Sequence, residues 1–254
     1  MTTNIICNIG FDKCGTSWFE QYTRFHPAIG VTSSKQIGTF FKERTSYHEH
    51  MCRHSDFDQE KHSWICETNH EYIYDKQALI NLKSSQAKIV VMTRDPIEKF
   101  RSHHLYLARS GYDLTFDFEI DVLKYPELLE RVKFAKYVEQ VRSVFTENNI
   151  LELTLEEVFE SEIFVQRKIC QFLNLEPLTT DIGIVRSASL PKSKVVAKLG
   201  NVISKLLKHV GLYKIHNRLK KLNDRFFVKQ VSNDVKILLT DEQENLIRKI
   251  SSEV

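Results

Sequence analysis

Ile9-Gly10-Phe11-Asp12-Lys13-Cys14-Gly15-Thr16-Ser17 is the stretch on which the reading of this chain turns. The apolar run Asn4 to Ile9 leads into it, and Trp18 to Phe25 follows with helical character. A buried strand, a tight turn and a helix start make an anion cradle. Glycines let the backbone close around a phosphate, and the free N–H groups of the first helical turn point at it. Lys13 adds a full positive charge, and Thr16 and Ser17 add hydroxyl donors. The nucleoside-triphosphatase loop reads G-x-x-x-x-G-K-S/T. Gly10 and Gly15 keep that spacing, but Lys13 lies between them and Thr16 stands in the lysine position. Taken alone, the stretch also fits a plain strand–turn–helix connection.

Outward from this loop, short apolar runs alternate with helical patterns. Ile29 to Val31 and Trp64-Ile65-Cys66-Glu67 read as strands, and Ala87 to Thr93 is the clearest. Its continuous Ile89-Val90-Val91-Met92 suits a sheet covered on both faces. Asn149 to Leu153 reads as a further strand. Helical spacing is expected over Tyr74 to Ser84, from Pro96 through Leu107, over Leu128 to Phe145, and over Glu162 to Leu173. Lys42 to Lys61 reads as a long polar, irregular section. The alternation predicts an α/β, P-loop-like three-layer fold with a central, mainly parallel sheet and a helical C-terminal third. The 254 residues are taken as one domain, 1–254, in which 192–254 is a basic helical extension.

Composition is that of an ordinary globular chain: 42% hydrophobic and 27% charged residues. No apolar run is long enough to span a membrane, and no secretory leader is evident. Cys7, Cys14, Cys52, Cys66 and Cys170 form no C-x-x-C pair, which fits a reducing, cytoplasmic setting. His48, His50, His54 and His62 lack a metal-ligand spacing, so no metal is expected. The formal net charge is only +3, yet Lys192 to Lys229 holds eleven basic residues against one acid, Asp224. That stretch suits a phosphorylated ligand, an acidic surface or simple solvation around Leu199, Ile203, Leu206 and Leu207. No nucleic-acid module accompanies it, so no nucleic-acid partner is expected; formation of a homo-oligomer stays open.

A second cluster follows the clearest strand. Thr93-Arg94-Asp95-Pro96 falls at its carboxyl end, where ligands of parallel α/β folds bind. Arg94 offers a planar fork of donors, and Ser102, eight residues on, offers a hydroxyl. Arg94-Asp95 also fits a local cap or ion pair.

Together the two segments resemble the sulfotransferases that use 3'-phosphoadenosine-5'-phosphosulfate (PAPS). The loop is similar to their G-x-x-K-x-G-T-T/S motif. Arg94-Asp95-Pro96-Ile97-Glu98-Lys99-Phe100-Arg101-Ser102-His103 is similar to their R-D-P-x-E-R-x-x-S-H motif. Pro191-Lys192-Ser193-Lys194 resembles a late P-R-S-R segment. The likeness is to the carbohydrate-type and bacterial branch, because the terminal R-K-G-x-x-G-D-W-K signature of the steroid and phenol branch is absent. The resemblance implies transfer of a sulfuryl group to a hydroxyl or amine of a small-molecule or carbohydrate acceptor, leaving adenosine 3',5'-bisphosphate. It implies that Gly10, Lys13, Cys14, Gly15, Thr16 and Ser17 hold the 5'-phosphosulfate and Arg94 and Ser102 the 3'-phosphate. Lys192 and Lys194 would close over the nucleotide, and Lys13 would stabilise the charge developing on the leaving oxygen.

The acceptor side departs from the pattern. Relatives carry Lys-Glu before an aromatic pair, with the glutamate as base; this chain has Lys35-Gln36-Ile37-Gly38-Thr39-Phe40-Phe41. A carboxamide cannot take a proton as general base. Glu67 and His104 are the two expected replacements, Glu43 and His48 weaker ones, and an orienting or packing role is the alternative for each. A nucleotide-binding protein without catalysis, or a P-loop phosphotransferase, are the competing readings.

Overall fold

The computed structural model describes residues 4–37, 47–183, 189–191, 228–230 and 237–254, with some positions between 199 and 219. Two compact units divide the chain: residues 1–94 with 135–185, and residues 95–134 with 186–254.

The first unit is built on a five-stranded parallel sheet in the order β2-β3-β1-β4-β5. Its strands are β1 (Asn4–Asn8), β2 (Ile29–Val31), β3 (Trp64–Thr68), β4 (Lys88–Thr93) and β5 (Ile150–Thr154). The central strands are buried nearly end to end, as a sheet covered by helices on both faces requires. Those helices are α1 (Thr16–Phe25), α2 (Tyr47–Arg53), α3 (Lys76–Ser84), α7 (Phe134–Val144), α8 (Leu155–Glu160) and α9 (Glu162–Leu173). Local sequence fixes their starts. Asp75 caps α3 by accepting from the Gln77 and Ala78 amides, and Thr154 with Glu157 forms a capping box on α8. From β1 the chain runs to β2 and β3 on one side, then crosses to β4 on the other. The carboxyl ends of β1 and β4 therefore form the switch point at which open parallel sheets hold ligands.

The second unit is a small helical core. In it α4 (Pro96–Arg109), α5 (Phe118–Lys124), α6 (Glu127–Glu130) and α10 (Asp241–Ser252) bury Ile97, Phe100, Leu107, Phe118, Leu128, Val132, Ile237 and Ile247. Asp95 caps α4 through the Ile97 and Glu98 amides and pairs with Arg248 at 2.9 Å. Arg101 reaches Glu244 at 2.8 Å. β6 (Ser189–Pro191) and β7 (Val228–Gln230) pair antiparallel.

Three local expectations change. The helix expected over Leu128 to Phe145 is two, α6 and α7, broken at 131–133. Leu128 and Val132 belong to the helical core, whereas Tyr137 stacks edge-on against Phe11 and Tyr74 of the first unit. One straight helix would have to serve both cores. The polar section 42–61 contains α2, whose Tyr47 and Met51 are buried. The C-terminal third, read as helical, contributes both strands of the β6–β7 pair.

Candidate functional site

The loop after β1 continues the sheet before it turns. The amide of Ile9 donates to Val90 O at 3.0 Å and that of Phe11 to Met92 O at 3.1 Å. Gly10 sits between these bonds, and a Cβ there would lie 2.2 Å from the Met92 nitrogen. Its glycine is demanded by contact with β4. The chain then reverses through two left-handed residues, Lys13 at φ 65° and Gly15 at φ 91°. Gly15 is the N-cap of α1; it supplies no side-chain acceptor, and no carboxylate occupies the first turn. A helix N-terminus left without either is suited to an anion. Lys13 and Ser17 are half-buried, and the Cys14 side chain is wholly buried. Only the backbone of Cys14 is therefore placed to serve a ligand.

The ends of β3 and β4 flank this cradle. Arg94 follows β4 directly, two residues beyond the Met92 carbonyl that holds Phe11, and is half-buried. On the other side the Asn69 amide donates to Asn8 O at 2.9 Å. Among the described residues, Thr68 Oγ1 and Asn69 Nδ2 are buried without a hydrogen-bond partner. Orphaned buried donors beside a helix N-terminus and a lysine are a donor set for a polyanion, so the residues present fit a nucleotide phosphate.

Residues 35 and 36 strap the cradle to the end of β3. Lys35 Nζ donates to Ser17 Oγ at 3.0 Å and pairs with Glu20 at 3.3 Å. Burial raises the Glu20 carboxyl, but Lys35 and Arg24 outweigh it and hold the group below its ordinary range. Gln36 is left-handed at φ 60°, and its amide donates to Thr68 O at 3.0 Å. Its carboxamide lies 3.1 Å from His70 Nε2, which is also 3.2 Å from Glu71 Oε1. His70 lies just beyond the end of β3, two residues after Thr68.

The two expected bases are both fully buried. Glu67 accepts from Tyr47 Oη at 2.5 Å and Tyr72 Oη at 3.2 Å. Burial, with the neighbouring thiol and carboxylate, pushes the Tyr47 hydroxyl well above its ordinary range, so it stays a donor. His104, in the second unit, meets Asp121 Oδ2 at 2.7 Å, and its Nδ1 is buried with no hydrogen-bond partner among the described residues. Burial lowers the His104 imidazole although Asp121 opposes it. Burial raises Asp121, but the Thr115 and Phe116 amides, His104 and the Thr115 hydroxyl together hold it below its ordinary range. Ser102 lies on the second turn of α4, part-buried. Lys192 and Lys194, like Phe40, Phe41 and Glu43, lie outside the described residues; of His48 only the backbone is described.

A parallel sheet with a lysine-bearing loop at its switch point defines an α/β protein whose crevice lies at the carboxyl ends of β1 and β4. The sulfotransferase domain family matches residues 5–254, nearly the entire chain, and this chain belongs to that family. Carbohydrate sulfotransferase 15 of Mus musculus is 27% identical over 128 residues, covering 41% of this chain and 23% of that protein. The Rattus norvegicus protein of the same name matches to the same extent. The match thus spans about a quarter of those relatives' length. A sulfotransferase of Alicyclobacillus acidocaldarius is similar in fold, with a TM-score of 0.61, 18% identity, and 89% of this chain and 97% of that one covered.

Proposed function

We propose that this protein transfers the sulfuryl group of PAPS to a hydroxyl or amine of a small-molecule or carbohydrate acceptor by in-line displacement. One observation carries the reading: the Lys13 cradle and Arg94 leave adjacent ends of β1 and β4 within one unit. Two anion-binding elements on neighbouring strands suit a nucleotide that is phosphorylated at both ends.

Lys13, the Gly15–Ser17 backbone and the Thr16 and Ser17 hydroxyls hold the 5'-phosphosulfate. Lys13 faces charge that grows on the leaving phosphate oxygen, where a preorganised cation lowers the barrier. Arg94 anchors the 3'-phosphate, and the motif match assigns Ser102 to the same group. Binding energy spent there positions the reacting sulfur. The resemblance of Pro191-Lys192-Ser193-Lys194 to the late P-R-S-R segment is what assigns Lys192 and Lys194 to the nucleotide. Glu67 and His104 are the candidates for the base that Gln36 does not supply, or for orienting roles; each is buried and engaged, Glu67 by Tyr47 and His104 by Asp121. Five free cysteines suit a cytoplasmic compartment.

The test is transfer of label from [35S]PAPS to a chemically varied acceptor panel. A labelled product with stoichiometric adenosine 3',5'-bisphosphate is the expected result. ATP-dependent phosphorylation of the same panel, with no sulfuryl transfer, would replace this reading by the phosphotransferase one.

A further inference from the structure

Along residues 199–219 the second unit turns apolar side chains outward. Residues 199–200, 202–204 and 206–207 are helical, and so are 215–219. We propose that this stretch docks the protein onto an anionic lipid surface, its aliphatic side chains entering one leaflet and its basic ones meeting the headgroups. Leu199, Val202, Ile203, Leu206 and Val210 recur at i, i+3, i+4, i+7 and i+11, which is one face of a helix. A helix of a globular protein turns such a face to the core. Here each of the five is between 42% and 65% exposed.

Polar groups make the inward contact. The Leu212 amide donates to Leu207 O at 2.9 Å and the His216 amide to Leu212 O at 3.0 Å, so the second helical segment starts where the first has ended. Ser204 Oγ lies 2.8 Å from Nε2 of the buried His216 and ties the two segments together. Leu212, Ile215 and Leu219 repeat the outward row at i, i+3 and i+7, each at least 44% exposed. A Cβ at Gly200 would meet no atom within 4 Å. Apolar rows left facing water on this scale mark a partner or a membrane. Pro191 of β6 pairs with Val228 of β7, so the chain leaves and rejoins the second unit at one root.

Charge selects the occupant. Lys198 to Lys221 holds seven basic residues and no acid, interleaved in sequence with the aliphatic ones. Arg218 is exposed next to Leu219. Interfacial helices have this composition: aliphatic side chains enter the acyl boundary, and long basic ones reach the headgroups. Each basic residue near an anionic bilayer is worth about fivefold in partition. A second copy of this chain would bring like charge against like charge. A nucleic acid would use the charge but leave the aliphatic rows in water. No helix among the described residues is long and apolar enough to cross a membrane, and contact with one leaflet requires none.

Cosedimentation of the full chain with sucrose-loaded vesicles tests this, comparing a two-to-one mixture of phosphatidylcholine and phosphatidylserine with phosphatidylcholine alone. Binding to the mixed vesicles should be about tenfold tighter or more, and salt should weaken it. Val202→Ser combined with Leu206→Ser should lower that binding about tenfold or more. The melting temperature and adenosine 3',5'-bisphosphate binding should stay as in the wild type, since both side chains face solvent. Phe159→Ser removes an exposed apolar side chain from the first unit and should leave vesicle binding unchanged. Equal binding to both vesicle types, or binding to neither, overturns the proposal. Full binding by the double serine variant overturns it too, because charge alone would then be the cause. Tighter binding to a duplex oligonucleotide than to mixed vesicles would reassign the stretch to nucleic acid. A dimer that the double variant dissociates would reassign it to self-association.

Discussion

Gly10 and Gly15 keep the spacing of a phosphate-binding loop, but they are glycine for different reasons. At Gly10 a methyl group would press on the Met92 backbone at 2.2 Å, which cannot yield without parting β1 from β4. At Gly15 the strain is in the φ of 91°, and the nearest atoms are the ends of the Leu155 and Met92 side chains. Gly10→Ala should cost about 1–3 kcal/mol or more as overpacking. Gly15→Ala should cost about 1–2 kcal/mol as a left-handed residue. Thermal melts of the two variants check this: Gly10→Ala should melt at the lower temperature, and the reverse order would refute the assignment of causes. Residue spacing singles out Lys13, Arg94 and both glycines, since each belongs to a contiguous motif, and the structure sets their segments at the adjacent ends of β1 and β4. The contact between Gln36 and His70 has no such local signal, because the two are 34 residues apart and only the fold around the β3 exit brings them together.

Elements carry the next level of argument, and α1 is the one whose end is left open. Its cap is a glycine without a side chain, and its first turn lacks acid, so the helix forgoes the usual stabilisation there. Ser17→Asp should restore it, raising stability by about 0.3–1 kcal/mol. The same change should weaken adenosine 3',5'-bisphosphate binding by about tenfold or more through like-charge contact. Stability gained while affinity is lost, measured by melting and by calorimetry, would identify the helix end as the anion site; unchanged affinity would rule it out. In the other unit, α4 and α5 are joined by His104 and Asp121. Both have folded-state pKa values below their unfolded ones, so the unfolded chain binds more protons and stability falls on acidification. The His104 contribution is full above about pH 6.5 and is lost below it, and that of Asp121 follows below about pH 4. Urea midpoints for His104→Gln should therefore vary less between pH 7.5 and 5.5 than those of the wild type. At this scale buried strands were the legible part, because apolar runs such as Ile89 to Met92 need no distant partner. The break between α6 and α7 was not, since its periodic pattern continues across two different cores.

For the whole molecule, the alternation of strand and helix announced the parallel sheet, whereas the division into two units depends on which distant segments share a core. Residues 95–134 join 186–254 through packing such as Ile97 and Phe100 against Ile237 and Ile247, which no local pattern encodes. Ligand linkage turns the global stability into a test of the nucleotide reading. A ligand that binds only the native state stabilises it by about 2.7 kcal/mol at a hundred times its Kd. For a chain of this size that raises Tm by roughly 5–10 °C, at about 2–4 °C per kcal/mol. Adenosine 3',5'-bisphosphate should give such a shift and AMP, which lacks the 3'-phosphate, a much smaller one at the same concentration. Arg94→Ala should abolish the difference between the two nucleotides, because its guanidinium is assigned to the group AMP lacks. Lys13→Ala should lower both shifts and preserve their ratio, because the 5'-phosphate is common to both. Higher salt should shrink every shift, as expected where the recognition is largely ionic. A larger shift with Mg-ATP than with the bisphosphate would point instead to a triphosphate site, and the role given to Arg94 would fall with it.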